Sequence, residues 1–225
     1  MGTLMRLTSL SASPERNENH RICSVIFSQK DLVDSNILGV ERSTYFPSGK
    51  SPIHAEDHSE EIIYFRRGRG KVLLGKEYVD VGPGSAVAIP SGIEHHVVNS
   101  GEDVLDHILI GVEIGGCPLQ ADYVAKTDDC LPQEQTRGLS RLSCRKLVVD
   151  QNQRSPEITL AAVENIYTLS AGFAVAHVKL AGTEYEWQYA LDASSCIWIP
   201  AGVPHSFRNI GDTPLHIVNF ASRTL

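Results

Sequence analysis

The sequence predicts an all-β protein made of two small antiparallel barrels, and three observations predict it. Short runs rich in Val, Ile, Tyr and Phe recur along the chain, separated by Gly, Pro, Ser and Asp. The period of an amphipathic helix is weak everywhere. A motif of proline, glycine, histidine and asparagine occurs twice, once mid-chain and once near the end. At 225 residues the chain is long enough for one large core or two smaller ones.

In chain order, residues 1 to 19 read as a polar, mobile tail. Candidate strands follow at 21 to 27, 36 to 46, 61 to 65, 71 to 75, 85 to 90, 95 to 99 and 106 to 114. Together they define a first barrel over 20 to 114. Residues 115 to 143 lose the strand rhythm and read as a connector, with a short helix candidate in PQEQTRGLSRL at 132 to 142. The β-pattern resumes over 144 to 225, the second barrel.

Composition narrows the function classes. Twenty Lys and Arg against 27 Asp and Glu give a net charge of −7, which argues against general nucleic-acid or anionic-membrane binding. FRRGRGK at 65 to 71 is the local exception and reads as a solvated hairpin tip in preference to an anion site. Cys23, Cys117, Cys130, Cys144 and Cys196 are odd in number with no CxxC pair. Neither an apolar leader segment nor a membrane-length apolar run is present, so reduced thiols and a cytoplasmic location are the expectation.

Residues 84 to 99, GSAVAIPSGIEHHVVN, set Gly84, Pro90, Gly92, His95 and Asn99 at the spacing G-x5-P-x-G-x2-H-x3-N. Residues 195 to 209, SCIWIPAGVPHSFRN, repeat the mutual spacing with Pro200, Gly202, His205 and Asn209. Two such blocks about 110 residues apart indicate an internal duplication. Proline fixes φ and glycine permits positive φ, which makes the turn between two antiparallel strands. On the outgoing strand His95, Val97 and Asn99 share one face and His96 the other.

This spacing resembles the second signature of the cupin superfamily, and the duplication resembles a bicupin, two fused double-stranded β-helix (jelly-roll) barrels. The resemblance implies that His95 faces the barrel interior as a metal ligand; an ordinary core histidine is the plainer alternative. The superfamily's first signature, G-x5-H-x-H-x3-4-E-x6-G, is met upstream by His54, Glu56, Glu61 and Gly68. Two departures stand out: Gly49 is one residue out of place, and Glu56 occupies the second histidine's position.

The site expected from that register is His54, Glu56, Glu61 and His95, walled by Ile63, Phe65 and Val97. Two imidazoles and two carboxylates suit Mn²⁺ or Fe²⁺, with Ni²⁺, Co²⁺ or Zn²⁺ possible. Asp57 to Glu60 look like a loop tip at the pocket mouth, which makes His58 and Glu60 the candidates for moving a proton. His58 replacing Glu56 as a ligand is the alternative register, and a decayed, metal-free pocket is the alternative for the whole site.

In the second barrel, setting Glu164 opposite Glu61 puts Glu157 and Thr159 at the positions of His54 and Glu56. Only His205 and perhaps His177 remain, too few for an ion, so this barrel is expected to be metal-free. The expected function is a metal-dependent enzyme acting on a small polar metabolite (an oxo-acid, an enol or a sugar-derived compound). The chemistry would be isomerase, lyase, hydrolase or dioxygenase. A non-catalytic binding or sensor cupin is the second reading, and a storage-like structural bicupin a distant third. Small molecules are the expected partners, with no nucleic acid and no membrane, in a monomer or a homodimer.

Overall fold

The period-2 patterning of this chain builds eighteen strands and no helix beyond a single 3-10 turn at Gln29–Asp31, among the described residues. The structure is a computed structural model that describes residues 5–10, 15–115, 126–127, 139–180 and 182–224. The first strands are β1 (Arg6–Ser9), β2 (Glu15–Glu18), β3 (Arg21–Ser28), β4 (Ile37–Tyr45), β5 (Ser59–Arg67) and β6 (Gly70–Leu74). Then come β7 (Glu77–Val81), β8 (Ala86–Ile89), β9 (His95–Val98), β10 (Leu105–Glu113) and β11 (Lys126–Thr127). The chain closes with β12 (Leu142–Val149), β13 (Val163–Ala171), β14 (Ala174–Lys179), β15 (Glu186–Leu191), β16 (Ser195–Ile199), β17 (His205–Asn209) and β18 (Leu215–Arg223).

The two halves repeat one arrangement. A large sheet contains β8-β5-β10-β4 in the first half and β16-β13-β18-β12 in the second. Opposite it stands a three-stranded sheet, β7-β6-β9 and β15-β14-β17 respectively. The fold is therefore all-β with two cupin-type barrels. Each barrel has its own apolar interior, around Phe65, Val72 and Ile89 in the first and around Leu169, Ile197 and Phe207 in the second. A third core joins the backs of the two large sheets, with Ile62, Tyr64 and Ile110 from one half against Ile166, Trp198 and Phe220 from the other. Alternation explains this division: Ile62 and Tyr64 face the partner half, whereas Ile63 and Phe65 face inward.

Two expectations are corrected here. Residues 1 to 19 are not simply a tail, since β1 pairs antiparallel with β16 and β2 with β3. Likewise the connector contributes β11, which pairs with β8. The segment preceding each barrel thus covers an exposed edge in the other, the kind of cover that unpaired edges need. Strand β7 has no counterpart among the expected strands; its signal is the alternation of Val79 and Val81 with Tyr78 and Asp80.

Most of the helix candidate at 132 to 142 lies outside the described residues, but Leu142 opens β12. Arg66 is not a solvated tip residue. Still within β5, it donates to the Ala193 carbonyl of the other half at 2.6 Å and lies 3.7 Å from Asp106. Cys23, Cys144 and Cys196 are buried free thiols, and Cys117 and Cys130 lie outside the described residues. No helix among the described residues is long and apolar enough to cross a membrane.

Candidate functional site

The proline-glycine turn does two jobs. Gly92 takes φ +77°, which turns the chain out of β8 and into β9. The same turn binds the loop that precedes β5: Gly92 N–H donates to the Glu56 carbonyl at 2.8 Å, and Ser91 Oγ donates to Glu56 and Asp57 carbonyls. Asn99 closes the exit, donating to the Tyr45 and Asp103 carbonyls and accepting from Gly101 N–H. Asn209 repeats this with Val149, Thr213 and Gly211. The motif's Pro, Gly and Asn are scaffold; its histidine is what the scaffold aims.

His54 and His95 exchange both backbone hydrogen bonds, at 3.2 and 2.8 Å, and their rings lie 4.3 Å apart. The Nδ1–H of His95 donates to the Ile93 carbonyl at 2.9 Å, and that of His54 to the Pro52 carbonyl at 3.1 Å. A backbone carbonyl at Nδ1 leaves each Nε2 as the nitrogen that offers a lone pair when the imidazole is neutral. His95 Nε2 meets Glu61 Oε2 at 3.2 Å, and His54 Nε2 lies 3.8 Å from Glu56 Oε1. Burial pulls the His95 pKa down, but the Glu61 carboxylate and the Ile93 carbonyl outweigh it and hold it above the ordinary value.

All four expected ligands line one cavity of about 420 Å³, at the low end of the range for small-molecule sites. Ile63, Val97 and Leu109 form its apolar wall. Phe65, also expected there, does not reach the cavity surface; it is fully buried and packs edge-on against His107. Farther along the cavity stand Arg21, Glu41, Ser43, Tyr45, Ser51 and His107, none of which the motifs nominated. Their signal is the polar alternation Glu41, Ser43, Tyr45 on β4, together with His107 on the same face of β10 as Leu105 and Leu109.

The two proposed proton carriers are placed elsewhere. His58 is exposed and does not line the cavity. Glu60 is fully buried and points out of the barrel, because β5 begins at Ser59 and Glu60 alternates with the inward Glu61. Its carboxylate accepts the N–H groups of Ser140, Arg141 and Leu142 at 2.7, 2.6 and 2.6 Å. His96 lies on the face away from the cavity, as expected, under the Tyr78 hydroxyl at 2.8 Å.

Pairing register corrects the alignment of the halves. Glu61 pairs with Ile89 and Asn165 with Ile199, so Asn165 rather than Glu164 corresponds to Glu61. The bridges His54–His95 and Ile158–His205 make Ile158 the counterpart of His54, in place of Glu157. Gly92 and Gly202 donate to Glu56 and Leu160, so Leu160, not Thr159, matches Glu56. His177 faces away from the second barrel's interior, its Nδ1 paired with Glu186 at 2.6 Å.

What remains of the second site is His205, whose Nδ1 repeats the backbone bond, to Val203. Its Nε2 is taken by the Tyr167 hydroxyl at 2.7 Å, deep in the apolar core. We expect Tyr167→Phe to leave that nitrogen buried without a partner and to lower stability by about 1–3 kcal/mol without changing any bound metal; denaturant titration with elemental analysis checks both.

Among the described residues, no group of three or more His, Cys, Asp or Glu side chains closes tightly enough to hold an ion as it stands. The candidate ligands form two pairs joined through the touching imidazoles. His95 and Glu61 are buried and inward, while His54 and Glu56 have half-exposed side chains. The donor set nonetheless fits a divalent cation: His95 Nε2 and Glu61 Oε2 are buried with no hydrogen-bond partner beyond their mutual contact.

Comparison with known proteins agrees with this geometry. A family model for the cupin domain matches residues 42–111, which include all four candidate ligands. No curated protein sequence matches the chain. Solved structures similar over the full chain include an oxalate decarboxylase at TM-score 0.82 and 13% identity. A tryptophan-to-tyrosine variant of the Bacillus subtilis oxalate decarboxylase gives 0.81 at 13%, and an arginine-to-alanine variant 0.80 at 14%. Each match covers 100% of this chain and 79% of the other. The findings place a cupin domain at 42–111, and the solved structures share their fold with the whole chain.

Proposed function

We propose that this chain is a metal-dependent bicupin enzyme acting on a small polar metabolite, with its chemistry in the first barrel only. The observation that carries the reading is the convergence of His54, Glu56, Glu61 and His95 on one cavity, both imidazoles having Nδ1 tied to a backbone carbonyl. These four side chains would hold the ion, with Mn²⁺ or Fe²⁺ the best match to two nitrogens and two carboxylates. One of the similar oxalate decarboxylases is described by its Mn(II) centres, which supports manganese. When bound, the ion supplies Lewis-acid stabilisation of negative charge developing on a substrate oxygen.

The chain's own residues bind, orient and exclude water. Pro52 and Ile93 carbonyls fix the two imidazoles, and the Glu61 carboxylate sits against His95. Ile63, Val97 and Leu109 keep the wall dry, which strengthens every polar contact inside. The reaction class is isomerase, lyase, hydrolase or dioxygenase. Oxalate is not carried over from proteins of 13% identity, which share the fold.

A second reading, a non-catalytic binding or sensor cupin taken together with the decayed, metal-free pocket, is favoured by the open geometry of His54 and Glu56. Elemental analysis of protein purified without chelator separates the two. We expect stoichiometric Mn or Fe in the parent and loss of affinity by more than about a hundredfold in Glu61→Ala and His95→Ala, beyond that of an outer-shell change. Metal-free parent protein, or unchanged metal in both variants, overturns the reading.

A further inference from the structure

The end of the cavity away from the candidate ligands is polar where the fold does not ask for polarity. The second barrel supplies the internal comparison. Register sets Tyr45 against Val149, since they pair with Leu105 and Leu215 respectively. Ser43 and His107 pair with each other, and so do their counterparts Leu147 and Ile217. Those three counterparts all belong to the second barrel's apolar interior. The same architecture thus packs these positions with hydrocarbon, and the first barrel replaces them with hydroxyls and an imidazole. Such a local departure from core chemistry is the mark of a site.

The groups are arranged as donors. The Arg21 guanidinium lies 5.8 Å from the Tyr45 ring centroid, where β3 pairs with β4. His107 is fully buried, its ring 5.5 Å from that of Tyr45, and its Nε2 lies 3.4 Å from the Tyr45 hydroxyl. Burial raises the pKa of the Tyr45 hydroxyl, so the phenol keeps its proton and can donate it to His107 Nε2. With Nε2 accepting, the proton of the neutral imidazole sits on Nδ1. That Nδ1 is buried, lies in a residue lining the cavity, and has no hydrogen-bond partner. A buried N–H without an acceptor is destabilising unless something fills the place. Glu41 lines the same cavity but accepts the Cys23 thiol at 3.0 Å.

We propose that this end of the cavity is a subsite for the carboxylate of a small organic acid, bound by Arg21 and by the N–H of His107, with Tyr45 positioning both. A planar carboxylate suits the guanidinium fork. From Glu61 to the layer of His107, paired with Phe65, is four residues of β5, about 13 Å at about 3.3 Å per residue. Both ends line the one cavity of about 420 Å³, which a single small two-ended molecule can occupy. The substrate class that follows is a small oxo- or hydroxy-acid, its carboxylate held here and its other oxygens toward His54 and His95. This rests on the reading of the cavity as a substrate site but does not require the ion.

The test is calorimetric titration with malonate, with its neutral isostere malonamide and with inorganic phosphate. It is run on the parent, Arg21→Met and His107→Ile, each both chelator-treated and Mn²⁺-loaded. Mn²⁺ binding is followed separately by its electron paramagnetic signal. In whichever form malonate binds, it should bind at least about tenfold more tightly than malonamide and phosphate. That preference should fall by about tenfold in each variant, while Mn²⁺ affinity is unchanged. The inference is overturned if malonate binds neither form, binds no better than malonamide or phosphate, or binds Arg21→Met as well as the parent. Failure of Mn²⁺ to bind overturns the metal reading alone. The parent-only comparison of malonate with malonamide stands even if a variant does not fold.

Discussion

Glu60→Ala is expected to lower the folding stability of this protein by about 3–5 kcal/mol, a large part of the roughly 5–15 kcal/mol available to a folded chain. Glu60 is fully buried and accepts three backbone N–H groups and the Ser140 hydroxyl at the start of the second half. Deleting the carboxylate leaves the buried Leu142 N–H and the part-buried Ser140 and Arg141 N–H groups without their acceptor, and an orphaned buried donor costs about 1–3 kcal/mol, the losses adding less than fully. Glu60→Gln keeps one carbonyl oxygen but turns an NH₂ toward a donor, so about half the loss is expected. Denaturant titration measures both. A midpoint within error of the parent for Glu60→Ala, with catalysis lost, would restore Glu60 to the mouth of the pocket.

The arrangement has a mate. Glu164, equally buried, accepts Ser35 Oγ at 2.6 Å, Trp198 Nε1 at 2.8 Å and the Asn36 N–H at 3.3 Å. Residues 35 and 36 precede β4 as 140 and 141 precede β12, so each half holds the start of one of these two matching strands of the other by a glutamate. Burial pushes the Glu164 carboxyl above its usual range, with the three donors opposing. The paired glutamates couple the halves into one unit, and their loss should loosen both barrels together.

These glutamates also mark where sequence stops being legible and why. Alternation and turn chemistry made the strands readable, and the spacing of Pro90, Gly92, His95 and Asn99 picked out His95, which lines the first barrel's cavity. Glu61 was found by counting from Gly68. Glu60 was misplaced because the strand starts at Ser59, earlier than its apolar residues announce, and a strand start decides which of two adjacent glutamates faces in. The second half is set one residue out because glutamate is matched to glutamate, Glu164 to Glu61, and the turn joining β14 to β15, longer than Gly75–Lys76 between β6 and β7, keeps a count back from the proline from correcting it. A count across a hairpin cannot see where the extra residues went; pairing register can. The edge strands β1 and β11 were hidden for another reason, since what they satisfy is a backbone edge in the other half, which leaves little pattern in side chains.

His107 should make the protein acid-labile. Complete burial of its ring drives its pKa down to about 4 from an ordinary 6.5; Asp106 opposes the shift and Arg21 adds to it. The charged and titratable groups around it are Arg21 and Tyr45 on its own face and Asp106 beside it in the strand, with Glu41 on the same cavity. In the folded state the imidazole stays neutral down to about pH 4, whereas in the unfolded chain it takes up a proton below about 6.5. Between those values the unfolded state binds more protons, so stability rises with pH and falls on acidification. The full window is worth about 3 kcal/mol, or a Tm change of about 6–12 °C in a chain of this size. His95 acts in the opposite sense, its pKa being raised, so the measurement is a difference between proteins. His107→Ile, which installs the residue that the second barrel carries as Ile217, should remove the His107 contribution and leave the rest. Metal-free parent and variant, unfolded by denaturant at pH 7 and at about pH 4, should differ in their acid loss by about 3 kcal/mol, the parent losing more. Parallel losses would mean that His107 is charged in the folded cavity, and would also remove the neutral N–H donor from the carboxylate subsite.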